Sequence, residues 1–502
     1  MAAEIVGNQM YLNGFAYQRS RISNERAYWA CKKSYRKECT GRAITSDPAV
    51  GEPVEVFKES GHTHPPDVDA NEAAKLTTSI KRKARDHPAQ PPAQVLRVEL
   101  QCVEPEVLSQ LPSQPALIRS MQRERRKELP AAPTKLKDIG EIPARYQQTL
   151  VGEQFLLHDS GPPEDDDDSD VSDNEEDEEV QHVEPPRVLV FATRKNIEIL
   201  CESEIWFLDG TFKTAPHIFA QIFTIIGLRT RTGKPDEQVA VPLVYALLTG
   251  KTQALYTEVL EVVRDAVARF RVAPCTPTKI MTDFEVAIIN ACRDVFPQVP
   301  VSACYFHLGQ IIYRRIQDAG LQTRYRNPDN RTIKRFTHML LALAFVPEAD
   351  VRTTFNTLRR DCPEDLLPVF DDFKEYYITG RPGRPRRPAT EPRYPVSLWN
   401  QFDTALNKSH RTNNISEGWH NRFRVVIGKH HPDLYTLLEE LQKEQGYMEI
   451  CVTELALGKK VKAAPAKKWI DLQTRIEAIA GEYNNRPRME YFRAIATNVT
   501  IS

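Results

Sequence analysis

Between residues 186 and 320, apolar runs of strand length alternate with segments of helical spacing. The runs IWFLD, HIFAQIFTIIGLRT and QVAVPLVYALLT follow one another with turn-rich connections, which predicts three strands in an antiparallel meander. Leu255, Val259 and Val263 then recur on one face of a predicted helix. Strands and helices alternate from there to Gly320. The resulting order, βββ-α-β-α-β-α, predicts a mixed α/β sheet with right-handed crossovers.

Beyond residue 320 the pattern is helical. We assign a helical region to 321–408, another helix to 409–430 and a helical C-terminal region to 431–502. The first region contains a basic, Pro-rich loop, GRPGRPRRPATEPRYP, at 380–395. No run approaches ~18 uninterrupted apolar residues, so a membrane-spanning helix and a membrane partner are not expected. The protein is therefore predicted to be multi-domain.

The N-terminal third divides into a patterned segment and a polar one. Residues 1–68 combine aromatics and alternation, whereas 69–185 are polar and Pro-rich, first basic and then acidic. Such a composition cannot repay its ordering entropy, so we predict a disordered linker with at most a short amphipathic helix near 115–129.

Charge is unevenly distributed along the chain. Residues 159–184 contain fourteen Asp or Glu and no Lys or Arg, so the formal net charge of −1 becomes about +13 without this segment. A basic body fits a polyanion such as nucleic acid. The alternative, that charge runs only maintain solubility, stays open.

Cysteine usage and short motifs indicate the compartment. Nine cysteines in 502 residues are sparse and odd in number, which argues against a secreted disulfide framework. The N-terminus lacks a signal-peptide pattern, so secretion is not expected. The basic segment KRKAR at 81–85 predicts nuclear localisation, with a solvated charge run as the alternative.

Four metal-binding residue types lie close together in the first segment. Cys31, Cys39, His62 and His64 form C-x7-C-x22-H-x-H, and a tetrahedral zinc ion needs four such donors. A segment with few large aliphatic residues needs such a staple. The alternative is two buried cysteines and two incidental histidines.

The residues around these four resemble the FLYWCH zinc finger. The matching segments are YLNGFAY, YWAC, ECTGRA and GHTH. The resemblance implies a zinc-stapled β finger over 1–68 that binds DNA or protein. Six basic residues could contact phosphate: Arg19, Arg21, Lys32, Lys33, Arg36 and Lys37.

Acidic residues end two predicted strands. Asp209 closes IWFLD and Asp283 closes KIMTD, and carboxylates in such positions are commonly paired or metal-bound. Glu417, in RTNNISEGWHNRF, is a candidate third acid for a divalent-metal site. Helix caps and surface ion pairs are the alternative explanation.

Four blocks resemble the Mutator-like (MULE) DDE transposases: EIWFLDGTFKTAP, IMTDFEVAIINACRDVFP, ACYFHL and TNNISEGWHNRF. The resemblance implies an RNase H-like core over 186–320 and reads 321–408 as an all-helical insertion. It also implies that Asp209, Asp283 and Glu417 are the catalytic acids, holding Mg²⁺ or Mn²⁺ for cleavage and strand transfer. The implied partner is double-stranded DNA, as transposon ends and target.

Several functional questions stay open. Cys304 and His307 form a C-x2-H that is either structural or metal-binding. The intact acids favour an active transposase. The acidic run favours the alternative, a domesticated DNA-binding or chromatin-associated regulator without catalysis. Protein partners through the finger or the acidic run, and a homo-oligomer, are further expectations.

Overall fold

The chain folds into two units, Met1–Ala131 and Ala132–Ser502. A computed structural model describes residues 3–23, 25–36, 38–47, 54–86, 90, 92–127, 130–161, 186–273, 275, 277–383, 385, 387–407, 414–461 and 467–499. Most of the acidic run and Lys37 therefore lie outside the described residues, as do the side chains of Tyr35 and Arg36.

The first unit begins with a six-stranded antiparallel sheet whose strands follow one another in chain order. The strands are β1 Glu4–Val6, β2 Gln9–Leu12, β3 Phe15–Ser23, β4 Arg26–Cys31, β5 Arg42–Ser46 and β6 Val56–Glu59, with a 3₁₀ turn at Lys32–Arg36. Its core is small and centres on Tyr17 and Trp29. A core of this size fits the expectation that the sheet needs a further staple.

Four helices follow the sheet within the first unit: α1 Val68–Asp86, α2 Pro92–Glu99, α3 Pro105–Gln110 and α4 Gln114–Arg126. They share a core that includes Ile80, Leu96, Leu117 and Met121. The prediction of a disordered linker is therefore wrong for the described part of this segment. Its few apolar residues form a core because the helices bury them against one another. KRKAR lies on α1 rather than on an unstructured chain.

The second unit is built on a seven-stranded mixed sheet. Its strands are β7 Leu156–Asp159, β8 Val188–Phe191, β9 Ile205–Thr211, β10 Gln221–Arg231, β11 Lys234–Leu248, β12 Lys279–Thr282 and β13 Val301–Ala303. Their order in the sheet is β13-β12-β9-β10-β11-β8-β7. β9, β10 and β11 form the antiparallel meander, and β12 and β13 run parallel to β9. The helices α5 Ala144–Gln147, α6 Arg194–Glu202, α7 Gln253–Phe270, α8 Val286–Val295 and α9 Tyr305–Asp318 intervene. From β9 to α9 the element order is the predicted βββ-α-β-α-β-α.

Residues 132–161 belong to this sheet unit and are not a linker. Leu136, Ile142 and Phe155 are buried on one face of the sheet, and β7 extends its edge. Arg187, which is fully buried, donates to Asp159 at 2.8 and 2.9 Å and to backbone carbonyls of the same segment. The prediction of disorder was wrong here because these apolar residues are irregularly spaced in a polar segment, so periodicity does not reveal them.

The remaining chain is helical in its described parts. Its helices are α10 Gln322–Arg326, α11 Thr332–Ala342, α12 Glu348–Arg360, α13 Leu367–Phe373, α14 Val396–Trp399, α15 Phe402–Leu406, α16 Asn414–Ile427, α17 Leu434–Ala456, α18 Lys467–Gly481 and α19 Arg488–Asn498. Short 3₁₀ turns occur at Leu136–Asp138, Leu343–Phe345 and Glu364–Leu366, and a π-helical turn at Lys374–Thr379. α16 and α17 pack on the meander, whereas α10–α15, α18 and α19 form a separate core beside β13.

Two further features are a disulfide bond and the limited apolar length of the helices. Cys201 and Cys275 form a disulfide across 74 positions, although the number of cysteines argues against a disulfide framework. The end of α6 and the chain after α7 bring these two residues together, which their spacing does not reveal. Among the described helices, none is long and apolar enough to cross a bilayer.

Candidate functional site

In the first unit, the sheet gathers the four predicted zinc donors. Cys31 ends β4, Cys39 follows the 3₁₀ turn, and His62 and His64 come after β6. The Sγ atom of Cys31 lies 3.3 Å from Nε2 of His64, and Sγ of Cys39 lies 3.3 Å from Nδ1 of His62. All four donor atoms lie within 4.8 Å of one another, so they are grouped closely enough to surround one ion.

Neighbouring groups fix the orientation of both imidazoles. Nδ1 of His64 is 2.8 Å from the Pro65 carbonyl, so a proton there leaves Nε2 free to bind metal. Nε2 of His62 is 2.6 Å from the Tyr17 hydroxyl, and that hydroxyl donates to Glu59 at 2.6 Å. Phe15 stacks on the His62 ring at a centroid distance of 3.7 Å. These contacts present one nitrogen of each ring to the two thiols.

The electrostatics of one thiol also suit a metal. Burial raises the pKa of the Cys39 thiol, but backbone amides of Thr63 and Gly41 donate to the sulfur and bring the pKa down to about 6. A thiolate is the form that binds metal. The side chains present therefore fit one zinc ion.

The predicted DNA-contacting residues lie on β3 and the 3₁₀ turn. Arg21, Lys32 and Lys33 are exposed, and Arg19 is half-buried. The Arg21 guanidinium lies over the Tyr28 ring, 4.4 Å from its centroid. Arg36 belongs to the turn, but its side chain and Lys37 lie outside the described residues.

In the second unit, two of the predicted acids lie on adjacent parallel strands. Asp209 belongs to β9, and Asp283 directly follows β12. Met281 pairs with Phe207, so the register continued by two residues sets Asp283 opposite Asp209. Residues in register on parallel strands face the same side of a sheet. The two carboxylates therefore share one face at the same end of their strands.

The pKa of Asp209 reflects its burial and the charges of the other two acids. Asp209 is 7% exposed, and its Oδ1 accepts from the Gly210 amide at 2.9 Å. Burial raises the pKa of Asp209 to about 8, and the charges of Asp283 and Glu417 contribute to the rise. Burial also raises the pKa of Asp283 and of Glu417. A cluster of carboxylates that resist ionisation is stabilised by cations.

Glu417 reaches the cluster from the first turn of α16, which packs on β9. Its Oε1 lies 3.6 Å from Nε2 of His307, on the first turn of α9. His307 thus contacts the third acid. Cys304 is fully buried just before α9. Among the described residues, Cys304 and His307 do not belong to a compact metal-ligand group.

A second histidine at the cluster was missed by the sequence reasoning. His420 follows Glu417 by one turn of α16, and its Nδ1 lies 3.5 Å from Oδ2 of Asp209. Its Nε2 lies 3.3 Å from the hydroxyl of Thr224, which pairs with Asp209 across β9 and β10. Burial lowers the pKa of His420 to about 4, so the ring is neutral near pH 7. The i, i+3 spacing from Glu417 was the available signal.

Neighbouring polar residues are engaged elsewhere. Glu285 accepts from the Tyr256 hydroxyl at 2.7 Å and lies 3.7 Å from Lys251. Trp399 is 1% exposed and donates to the Tyr377 carbonyl, so it packs in the helical core. Among the described residues, the three acids are not part of a compact metal-ligand group.

Comparisons with known proteins agree with both regions. The model of the FLYWCH zinc finger domain matches residues 5–64, and that of the MULE transposase domain matches residues 205–310. The chain is 34% identical over 84 residues to FLYWCH-type zinc finger-containing protein 1 of Mus musculus. That match covers 17% of this chain and spans 11% of the length of the mouse protein.

The matched segments contain side chains of both clusters described above. Residues 5–64 contain all four Cys and His donors, and residues 205–310 contain Asp209, Asp283 and His307. Domains of these two kinds suggest DNA binding. The chain therefore contains an N-terminal segment that matches the FLYWCH zinc finger domain and a later segment that matches the MULE transposase domain.

Proposed function

We propose that this protein is a DDE-type transposase of the Mutator-like kind, which cleaves and rejoins transposon DNA. The convergence of Asp209, Asp283 and Glu417 carries the proposal. The strand order β11-β10-β9-β12-β13 supports an RNase H-like core for the catalytic region. In this reading, the helices from α10 to α15 form the insertion that precedes the last acid.

The three acids would hold Mg²⁺ or Mn²⁺, which activate the attacking oxygen and stabilise the leaving oxygen on phosphorus. Asp209 is placed for this by its strand and by contact with His420. Glu417 is held by α16, which is anchored where Trp419 donates to Glu444 of α17 at 2.7 Å. The protein's contribution is then positioning and charge rather than a nucleophile of its own.

The zinc finger would bind duplex DNA through Arg19, Arg21, Lys32, Lys33, Arg36 and Lys37, with zinc on Cys31, Cys39, His62 and His64. We further propose nuclear localisation. Arg82, Lys83 and Arg85 of KRKAR are exposed on α1, although Lys83 pairs with Glu99 at 2.5 Å. Binding of proteins by the finger or the acidic run, and self-association, belong to the same proposal.

The test is cleavage of DNA that carries the genomic sequences flanking the coding locus on both sides. With Mg²⁺, the protein should cut at defined ends, and Asp209→Asn, Asp283→Asn and Glu417→Gln should each lower the rate at least about 100-fold. All three variants should still bind the DNA. The exposed Asp265→Asn is the matched control and should cleave like the wild type.

Two outcomes would count against catalysis. Cleavage that persists in all three variants would show that the acids are not the catalytic centre. Tight binding by the wild type without any cleavage would favour the alternative, a domesticated DNA-binding regulator, which the acidic run also suits.

A further inference from the structure

A basic segment of the helical region lies beside the acid cluster. Residues 381–393, here called the arginine loop, contain five arginines and a single acidic residue, Glu391. Arg387 and Arg393 are exposed, and no described residue forms an ion pair with either. Arg381 is engaged with Glu375 at 2.5 Å. Arg387 and Arg393 therefore present positive charge that the described residues do not neutralise.

The base of the arginine loop is closed by backbone contacts. Gly380 has φ +70°, and a Cβ there would lie 1.7 Å from the Thr390 carbonyl oxygen, so only glycine fits. The Thr390 amide donates to the Arg381 carbonyl at 3.0 Å. Four prolines restrict the backbone between and after these contacts: Pro382, Pro385, Pro388 and Pro392. A restrained loop loses little entropy when it binds a ligand.

The end of the loop is attached next to the second acid. The Tyr394 hydroxyl donates to the backbone carbonyl of Phe284 at 2.8 Å, and the two rings meet edge to face at 5.1 Å. The Tyr394 amide donates to the Tyr376 carbonyl at 2.9 Å. Phe284 directly follows Asp283 along the chain. Arg393 directly precedes Tyr394, which contacts Phe284. The loop is thus fixed at the rim of the acid cluster.

The charges of the two features are complementary for one class of ligand. Carboxylates alone repel a phosphodiester, whereas arginines pair with phosphate through planar, charged donors. Exposed arginines beside carboxylates can hold the phosphates that flank a reacting bond. An uncharged ligand would need neither set of charges, and a cation alone would need the carboxylates but not the arginines.

We propose that the arginine loop binds the phosphate backbone of DNA next to the acid cluster, with Arg387 and Arg393 as strand-positioning residues. The inference rests on the proposed function, because it takes DNA as the substrate of the acids. It adds a second contact surface in the transposase unit, separate from the zinc finger.

The experiment measures binding of the full-length, zinc-loaded protein to a fluorescein-labelled 40-base-pair duplex, without added Mg²⁺ or Mn²⁺, over a series of salt concentrations. Each phosphate contact contributes about 0.9 to the slope of log Kobs against log salt concentration. The double variant R387A/R393A should therefore lower the slope by roughly 1–2. The double variant R387K/R393K keeps the charges and should restore most of the slope.

Arg269→Ala is the matched control. Arg269 is exposed at the C-terminal end of α7. The opposite end of α7 lies near the acids, because Tyr256 in its first turn contacts Glu285. This variant should keep the wild-type slope. A wild-type slope in R387A/R393A, with a thermal transition like that of the wild type, would overturn the proposal.

The result is independent of the cleavage assay. Suppose that the wild type does not cleave DNA but R387A/R393A shows a smaller salt-dependence slope than the wild type. The loop then binds phosphate, and the catalytic proposal fails. If the wild type cleaves and R387A/R393A keeps the full slope, catalysis stands and the loop proposal fails.

Discussion

The buried carboxylate of Asp209 should destabilise the metal-free protein, so Asp209→Asn should make it more stable. In the unfolded chain an Asp has a pKa of about 3.9, whereas burial and the neighbouring acids raise the pKa of Asp209 to about 8 in the fold. Between these two pKa values, the side chain is ionised in the unfolded chain but still protonated in the folded protein. The stability of the wild type therefore falls as the pH rises from about 4 to 8.

The magnitude follows from the two pKa values. For each pH unit above the pKa of the unfolded state, the free energy of unfolding of the wild type falls by about 1.4 kcal/mol, until the pKa of the folded state is reached. The gain from Asp209→Asn is then about 2 kcal/mol at pH 5.5 and about 4 kcal/mol at pH 7. The asparagine retains the oxygen that accepts from the Gly210 amide. Its amide group can donate to a neighbouring carboxylate.

Thermal unfolding of the second unit, followed at several pH values without divalent metal, measures this effect. At pH 7 the melting temperature of the variant should exceed that of the wild type by roughly 4–8 °C, and the difference should shrink towards pH 5. Added Mg²⁺ should stabilise the wild type more than the variant. The exposed Asp265→Asn should change stability by less than about 0.5 kcal/mol. An equal or lower melting temperature for Asp209→Asn at pH 7 would refute the reasoning.

Three further changes test other parts of the structure. Gly41→Ala should reduce bound zinc well below one ion per chain in atomic absorption, because its Cβ would lie 2.5 Å from Cε1 of His62; a variant with a full zinc complement would contradict the packing around His62. Arg187→Ala should lower the free energy of unfolding by about 3–5 kcal/mol in a denaturant titration, because it leaves Asp159 without its buried partner; a loss below about 1 kcal/mol would contradict the account. His420→Ala should slow Mg²⁺-dependent cleavage about 10- to 100-fold, because Asp209 loses the contact that positions it. An unchanged rate, with DNA binding like that of the wild type, would show that His420 has no positioning role.

The regular elements could be predicted because their patterns are strong. The meander from β9 to β11 consists of long apolar runs, and α7 shows its buried face as Leu255, Val259 and Val263. The four zinc donors were recognisable because residue type and short spacing reveal H-x-H and two cysteines. The aspartates were recognisable because each ends an apolar run in the sequence.

What the sequence does not reveal depends on contacts between distant segments. The core formed by Ile80, Leu96 and Met121 uses too few apolar residues per helix to stand out from a polar background. Leu136 and Phe155 are buried without any period, because they lie in an irregular segment against a sheet. His420 and the attachment of Tyr394 to Phe284 depend on how separate helices pack beside the strands. A one-dimensional pattern contains no such information.

The most direct test of the acid cluster is to map which segments surround a bound metal. Fe²⁺ can replace Mg²⁺ in carboxylate sites, and with ascorbate and oxygen it cleaves the backbone nearby. The zinc-loaded protein should yield fragments that end near residues 209, 283 and 417 in the same sample. All three cuts should disappear together in Asp283→Asn and persist in Asp265→Asn. Cuts near only one acid, or cuts that are unchanged in Asp283→Asn, would contradict a shared metal centre.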